Sequence, residues 1–171
     1  MSFYESKYPV SDKYSPLKVK RLKYLTNSDI ETVRLGERLG THLSGGDMVA
    51  LTGALGSGKT WFTKGIALGL EVDPGTVITS PSFALVNEYR CRHIFYHIDL
   101  YRLENLSDVL SIGLEEYLHL GGVVVMEWAD RWPEILPEQR LDVKIDIIDD
   151  HRRDITLSGS HPRAIEIIEG L

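Results

Sequence analysis

Cys91 is the only cysteine in this chain, so no internal disulfide can form and a reducing compartment is expected. No apolar run approaches the ~20 residues of a membrane-spanning helix. Residues 1–13 are polar and aromatic, without the apolar centre of a secretory signal. Both absences predict a cytoplasmic protein with no membrane partner. Positive charge is also in deficit: Lys and Arg number 19 against 25 Asp and Glu, a formal charge of −6. A free-standing nucleic-acid binder needs clustered cations to meet phosphates. The one basic stretch, residues 18–23, reads as the solvated flank of an early strand. His93 and His97 have no cysteine or acid at metal-ligand spacing, which argues against a zinc site. No repeat or low-complexity tract is visible. With 43% hydrophobic and 26% charged residues, 171 residues suit one domain with a substantial core.

Against that plain background one segment carries chemistry. Gly53-Ala54-Leu55-Gly56-Ser57-Gly58-Lys59-Thr60 fits G-x-x-x-x-G-K-[ST], a phosphate-binding loop. Residues 47–52 read as a short buried strand leading in, and residues 59–70 as a helix leading out. Strand, glycine loop and helix are what phosphate binding requires. The glycines let successive N–H groups turn into one concavity, and the positive end of the helix dipole adds to that field. Gly53, Leu55, Gly56, Ser57, Gly58, Lys59 and Thr60 are therefore candidate nucleotide-binding residues. Lys59 would reach the β- and γ-phosphate oxygens, and the Thr60 hydroxyl would ligate Mg²⁺. The guanine-selecting Asn/Thr-Lys-x-Asp motif is missing, since Thr63-Lys64-Gly65-Ile66 lacks the Asp; ATP is the expected nucleotide.

Around this loop the pattern predicts an α/β chain. A P-loop NTPase architecture follows, a three-layer sandwich whose central sheet is mixed and partly parallel, with an antiparallel C-terminal extension. Residues 1–24 form an extension, either weakly ordered or a partner-binding arm, and residues 25–171 the ATPase domain. Residues 27–44 are helical, opened by a capping box of Ser28 with Glu31 and closed by Gly45-Gly46. Residues 83–90 and 93–98 read as strands. Residues 106–118 read as one amphipathic helix. Val123-Val124-Val125-Met126 suits a strand buried on both faces. Residues 141–147 alternate as a strand, and Ile155 with Leu157 mark the last one.

Two acids, Asp99 and Glu127, stand where apolar strands run out. In an open α/β sheet, ligands bind beyond the carboxyl ends of the strands. Phosphoryl transfer to water needs a carboxylate to hold Mg²⁺, directly or through water, and a group that orients the water. Asp99 and Glu127 could supply both, and both are candidate catalytic residues. Thr79, Ser80 and Ser82 could sense the γ-phosphate. Arg102 and Arg131 could stabilise transition-state charge or form surface ion pairs. His97 reads as a packed histidine, and Trp128 as a buried aromatic or a platform beside the site.

Four segments occur in order: the phosphate loop, Ser80-Pro81-Ser82-Phe83, His97-Ile98-Asp99-Leu100-Tyr101-Arg102-Leu103 and Val125-Met126-Glu127-Trp128. Together they resemble the TsaE (YjeE) family over residues 27–158. The phosphate loop alone is shared by many families; the Asp-Leu-Tyr-Arg segment followed by Glu-Trp is far more specific. The resemblance implies a cytoplasmic ATPase that uses ATP and Mg²⁺ and acts with TsaB and TsaD in making threonylcarbamoyladenosine at position 37 of tRNA. It also implies that tRNA is met through those partners. Carried over by residue, Lys59 and Thr60 hold phosphates and Mg²⁺, Asp99 and Glu127 are the acids, and Trp128 is the aromatic beside them. Glu127 is preferred for the metal and Asp99 for the water, with the reverse open. Ser82 stands where the family more often has Thr. The competing readings are a small-molecule or nucleotide kinase and a GTPase-like switch. The stretch between Leu103 and Gly121 has no arginine, which disfavours a kinase lid.

Overall fold

The computed structural model describes residues 18–81 and 85–171. Ser82 and Phe83, and most of the N-terminal extension, lie outside the described residues. Seven strands form one sheet: β1 (Lys20–Thr26), β2 (Met48–Thr52), β3 (Val86–Arg90), β4 (Ile94–Asp99), β5 (Val123–Glu127), β6 (Leu141–Ile147) and β7 (Arg153–Gly159). Their spatial order is β1-β7-β6-β2-β5-β4-β3. β2 is central and parallel to both β5 and β6, and β4 is parallel to β5. The β6–β7 and β7–β1 pairs are antiparallel, as is β3–β4 at the opposite edge. The expected mixed sheet and antiparallel C-terminal part are both present. β1 spans residues 24 and 25, between which the sequence division was drawn.

Burial on two faces explains the unbroken apolar runs. Met48, Val49, Ala50 and Leu51 alternate between two cores, as do Val123, Val124, Val125 and Met126. Val49, Leu51 and Val125 meet helices α1 (Asp29–His42), α2 (Lys59–Gly69) and α5 (Pro162–Gly170) on one face. Ala50, Val124 and Met126 meet α3 (Leu106–Leu110), α4 (Leu114–His119) and the turns after β5 on the other. These are three layers, as hydrophobic faces on a parallel sheet demand. Among the described residues, no helix is long and apolar enough to cross a membrane.

Local chemistry sets the helix ends. The Ser28 hydroxyl accepts from Glu31 N at 3.2 Å, the forward half of the expected capping box. The return bond goes elsewhere, because the Glu31 carboxylate accepts from Asn27 N at 2.8 Å. The single helix expected over 106–118 is two short ones, α3 and α4. Gly113 at φ 69° places a left-handed residue between them, which an L side chain resists and glycine does not. α5 has no counterpart in the sequence reading. Pro162 opens it, and Arg163 ties it to the loop before β2 by donating to Asp47 Oδ2 at 2.8 Å and Oδ1 at 3.0 Å. That bond to Asp47 raises the guanidinium's pKa further.

α1 and α2 touch through glycine. A Cβ on Gly69 would lie 2.8 Å from Gly40 Cα, and one on Gly65 2.9 Å from Gly36 Cα. Only residues without side chains allow this backbone-to-backbone approach, which seats α2 against the rest of its layer.

Candidate active site

Because β2, β5 and β4 are parallel neighbours, their carboxyl ends open on the same edge of the sheet. Asp99 and Glu127 are register partners on β4 and β5. The loop leaving β2 closes over the same edge. Together they border a cleft of about 440 Å³, with Asp29, Trp61, Ser80 and Asp150 further along its wall.

The loop turns back on itself at Ser57 N, which donates to Ala54 O at 3.1 Å. Gly58 stands at the N-cap of α2 with φ 104° and offers no side-chain cap. The N–H groups of Lys59, Thr60 and Trp61 precede the first intrahelical bond, from Phe62 N to Gly58 O at 2.9 Å. Uncapped donors at a helix N-terminus suit an anion. Lys59 folds back across the loop. Its Nζ donates to Gly53 O at 2.8 Å and Ala54 O at 3.0 Å, and lies 3.8 Å from the centre of the Trp128 ring. Burial pushes the Lys59 pKa down, while Glu127, Asp99 and Asp130 pull it back up. Leu55 is exposed at the loop tip, and Ser57 is fully buried, its hydroxyl unpaired among the described residues.

Glu127 is 2% exposed, and each of its oxygens has partners. Oε1 meets His97 Nε2 at 2.9 Å and Thr63 Oγ at 3.2 Å; Oε2 accepts from Thr60 Oγ at 3.1 Å. Asp99 accepts from the Ser80 hydroxyl on Oδ2 and from Tyr101 N on Oδ1 at 2.8 Å. Trp128 follows β5 at φ 60°, unusual for a large side chain, and its ring packs on Tyr101 at 4.9 Å. That turn sets the indole against Lys59.

Other residues sort by position. Thr79 is exposed and gives its carbonyl to Asn87. Arg131 donates to Leu100 O and Tyr101 O, bracing the chain leaving β4; neither it nor Arg102 borders the cleft. Two contributors escaped the sequence reading. Thr63 lies one turn beyond Thr60, and a second hydroxyl at that spacing was a legible signal. Arg153, at the start of β7, lines the cleft and donates through Nε to Ser57 O at 3.0 Å. No local pattern marks it, because the contact is purely tertiary.

Whether these groups fit a metal depends on donor type. Among the described residues there is no group of three or more His, Cys, Asp or Glu side chains arranged for a metal. Mg²⁺ is served differently, by one or two protein oxygens with phosphates and waters completing the shell. The Thr60 hydroxyl and Glu127 Oε2 are such a pair of hard oxygens, within hydrogen-bonding distance of each other and facing the uncapped end of α2.

A family model described as threonylcarbamoyl adenosine biosynthesis protein TsaE matches residues 26–155. A TsaE protein of Treponema pallidum is 39% identical over 137 residues, covering 80% of this chain and 100% of its own. One from Bacillus subtilis is 38% identical over 142 residues, covering 82% and 87% respectively. The crystal structure of Bacillus subtilis YdiB superposes with a TM-score of 0.74 at 37% identity, covering 89% of this chain and 94% of that one.

Proposed function

Since the chain belongs to the TsaE family, we propose that it is the ATP-binding and ATP-hydrolysing subunit needed to form the threonylcarbamoyl group on adenosine 37 of tRNA. It works in the cytoplasm with TsaB and TsaD, resetting that complex, and meets tRNA only through them. The observation that carries this reading is the meeting of Lys59, Thr60, Asp99 and Glu127 at the carboxyl ends of β2, β4 and β5.

The uncapped amides of Lys59 and Thr60 and the loop amides of Leu55, Gly56, Ser57 and Gly58 receive the phosphates, Ser57 N leaving Ala54 O to do so, with Gly53 making the turn. Lys59 exchanges its two loop carbonyls for phosphate oxygens, a stronger charge-assisted bond. Thr60 and Glu127 would hold Mg²⁺, which when bound would neutralise charge on the phosphate oxygens. Asp99, backed by Ser80, orients the attacking water. Trp128 walls the site and keeps Lys59 aimed. Water attacks the γ-phosphorus, the bond to the β,γ-bridging oxygen breaks, and ADP and phosphate leave.

The test is the yield of modified tRNA per complex when TsaB and TsaD are supplied with this protein or with Glu127→Ala. Many rounds are expected only with the unaltered protein and a hydrolysable nucleotide. Equal multi-turnover yields would remove hydrolysis from the cycle and defeat the proposal.

A further inference from the structure

We propose that His97 is a positioning residue for the cleft: it pins Oε1 of Glu127 on the inner side, so that Oε2 stays beside Thr60 and faces the ligand. This rests on the nucleotide and Mg²⁺ reading above and adds a residue that touches neither.

The geometry has three parts. His97 is fully buried, and its Nε2 lies 2.9 Å from Glu127 Oε1. Its Nδ1 is buried with no hydrogen-bond partner among the described residues. A carboxylate can only accept, so Nε2 is the donor in this pair. Packing alone does not account for such a residue. A buried polar atom without a partner costs free energy, and an apolar side chain of similar volume would fill the slot without that cost. What an apolar side chain lacks is the N–H.

Nor can Thr63 do the same work. Its hydroxyl has one hydrogen and two acceptors, Lys59 O at 3.0 Å and Glu127 Oε1 at 3.2 Å. Any share given to the helix carbonyl is withdrawn from the carboxylate. His97 Nε2–H has one acceptor and is fully committed to it. Strand geometry makes the arrangement rigid. His97 and Val125 are register partners on β4 and β5, one pleat before Asp99 and Glu127. The donor therefore comes from the strand beside the acid, not from a mobile loop. Outer-shell hydrogen bonds of this kind hold a metal-ligating carboxylate in its productive orientation.

The test measures metal binding rather than turnover. Mn²⁺ is titrated calorimetrically into the ADP-loaded full chain, alongside ADP affinity without metal and thermal unfolding. His97→Leu fills the space without a donor; its Mn²⁺ affinity is expected to fall about tenfold, within the range for outer-shell partners. Its metal-free ADP affinity should stay within about twofold, since the loop amides and Lys59 are untouched. His97→Gln keeps an N–H on a longer side chain and should recover most of the loss. Should the leucine variant not fold, His97→Asn, whose amide is too short to reach Oε1, carries the same expectation. A folded leucine or asparagine variant with unaltered Mn²⁺ affinity would overturn the proposal and leave His97 a packing residue. Unaltered protein that binds ADP but no Mn²⁺ would instead defeat the metal assignment on which it rests.

Discussion

Lys59 lies over the face of Trp128, with its Nζ 3.8 Å from the ring centre, while the same ammonium bridges two carbonyls of the loop. The side chain is thus held in place from both sides, at the cost of burying a charge. Burial lowers its pKa for that reason. A cation so placed serves an anion better than it serves stability.

Lys59→Met is therefore expected to remove ATP hydrolysis and most triphosphate affinity while leaving the ligand-free fold as stable as before, or more so. Titration calorimetry with a thermal melt checks both halves. Unchanged ATP binding in a folded variant would sink the phosphate-loop assignment.

Asp99→Ala and Glu127→Ala should each abolish hydrolysis yet weaken ADP binding less than loss of Lys59 does. They should differ in stability. Removing Glu127 strands the buried His97 N–H, a cost of about 1–3 kcal/mol. Removing Asp99 releases Tyr101 N at the cleft wall, where water can replace the carboxylate. A lower melting temperature for the Glu127 variant than for the Asp99 variant is the expected order; the reverse would contradict the hydrogen-bond assignment.

Arg153 fastens the phosphate loop from behind through Ser57 O, and also donates to the carbonyls of Asp149 and Arg152. Arg153→Met should raise the KM for ATP about tenfold, the equivalent of losing one charge-assisted hydrogen bond at the loop. Little change in kcat is expected, because the guanidinium supports the loop rather than the reacting water. A fall in kcat at constant KM would place Arg153 on the transition state instead.

The turn that presents Arg153 is organised by Asp149, whose carboxylate accepts from His151 N, Arg152 N and Arg152 Nε. These bonds to Arg152 and His151 lower its pKa from 3.8 to about 2. A folded pKa below the unfolded one stabilises the fold at higher pH, in full above the unfolded value. The contribution fades as pH falls from about 4 toward 2. An NMR titration of the Asp149 carboxyl should give a midpoint near 2, and a midpoint near 4 would refute the turn's hydrogen bonding.

How legible the molecule was in its sequence follows from how local each feature is. The loop at 53–60 could be read because its geometry is made by adjacent residues. The placement of Asp99 and Glu127 could be read because parallel strands end on one edge, so an acid closing an apolar run has a known address. Gly113 was hidden inside a good helical pattern, where the apolar positions on either side outweighed one residue whose φ decides the break. Ala164, Ile167 and Ile168 of α5 bury a short stripe that says little until β1 and β7 supply its partner surface. His97 and Arg153 acquire their roles only through contacts with distant positions. No periodicity encodes those.

The glycine seam between α1 and α2 has a practical consequence for anyone transplanting this loop. Gly65 and Gly69 work only against a helix that leaves room at the facing positions, as Gly36 and Gly40 do. Grafting residues 47–70 onto another sheet would carry every letter of the motif but not its footing. α2 would be propped away from its neighbour by any methyl group on that partner, and the amides at its tip would no longer aim where Glu127 and Asp99 point. A successful graft has to bring α1 with it.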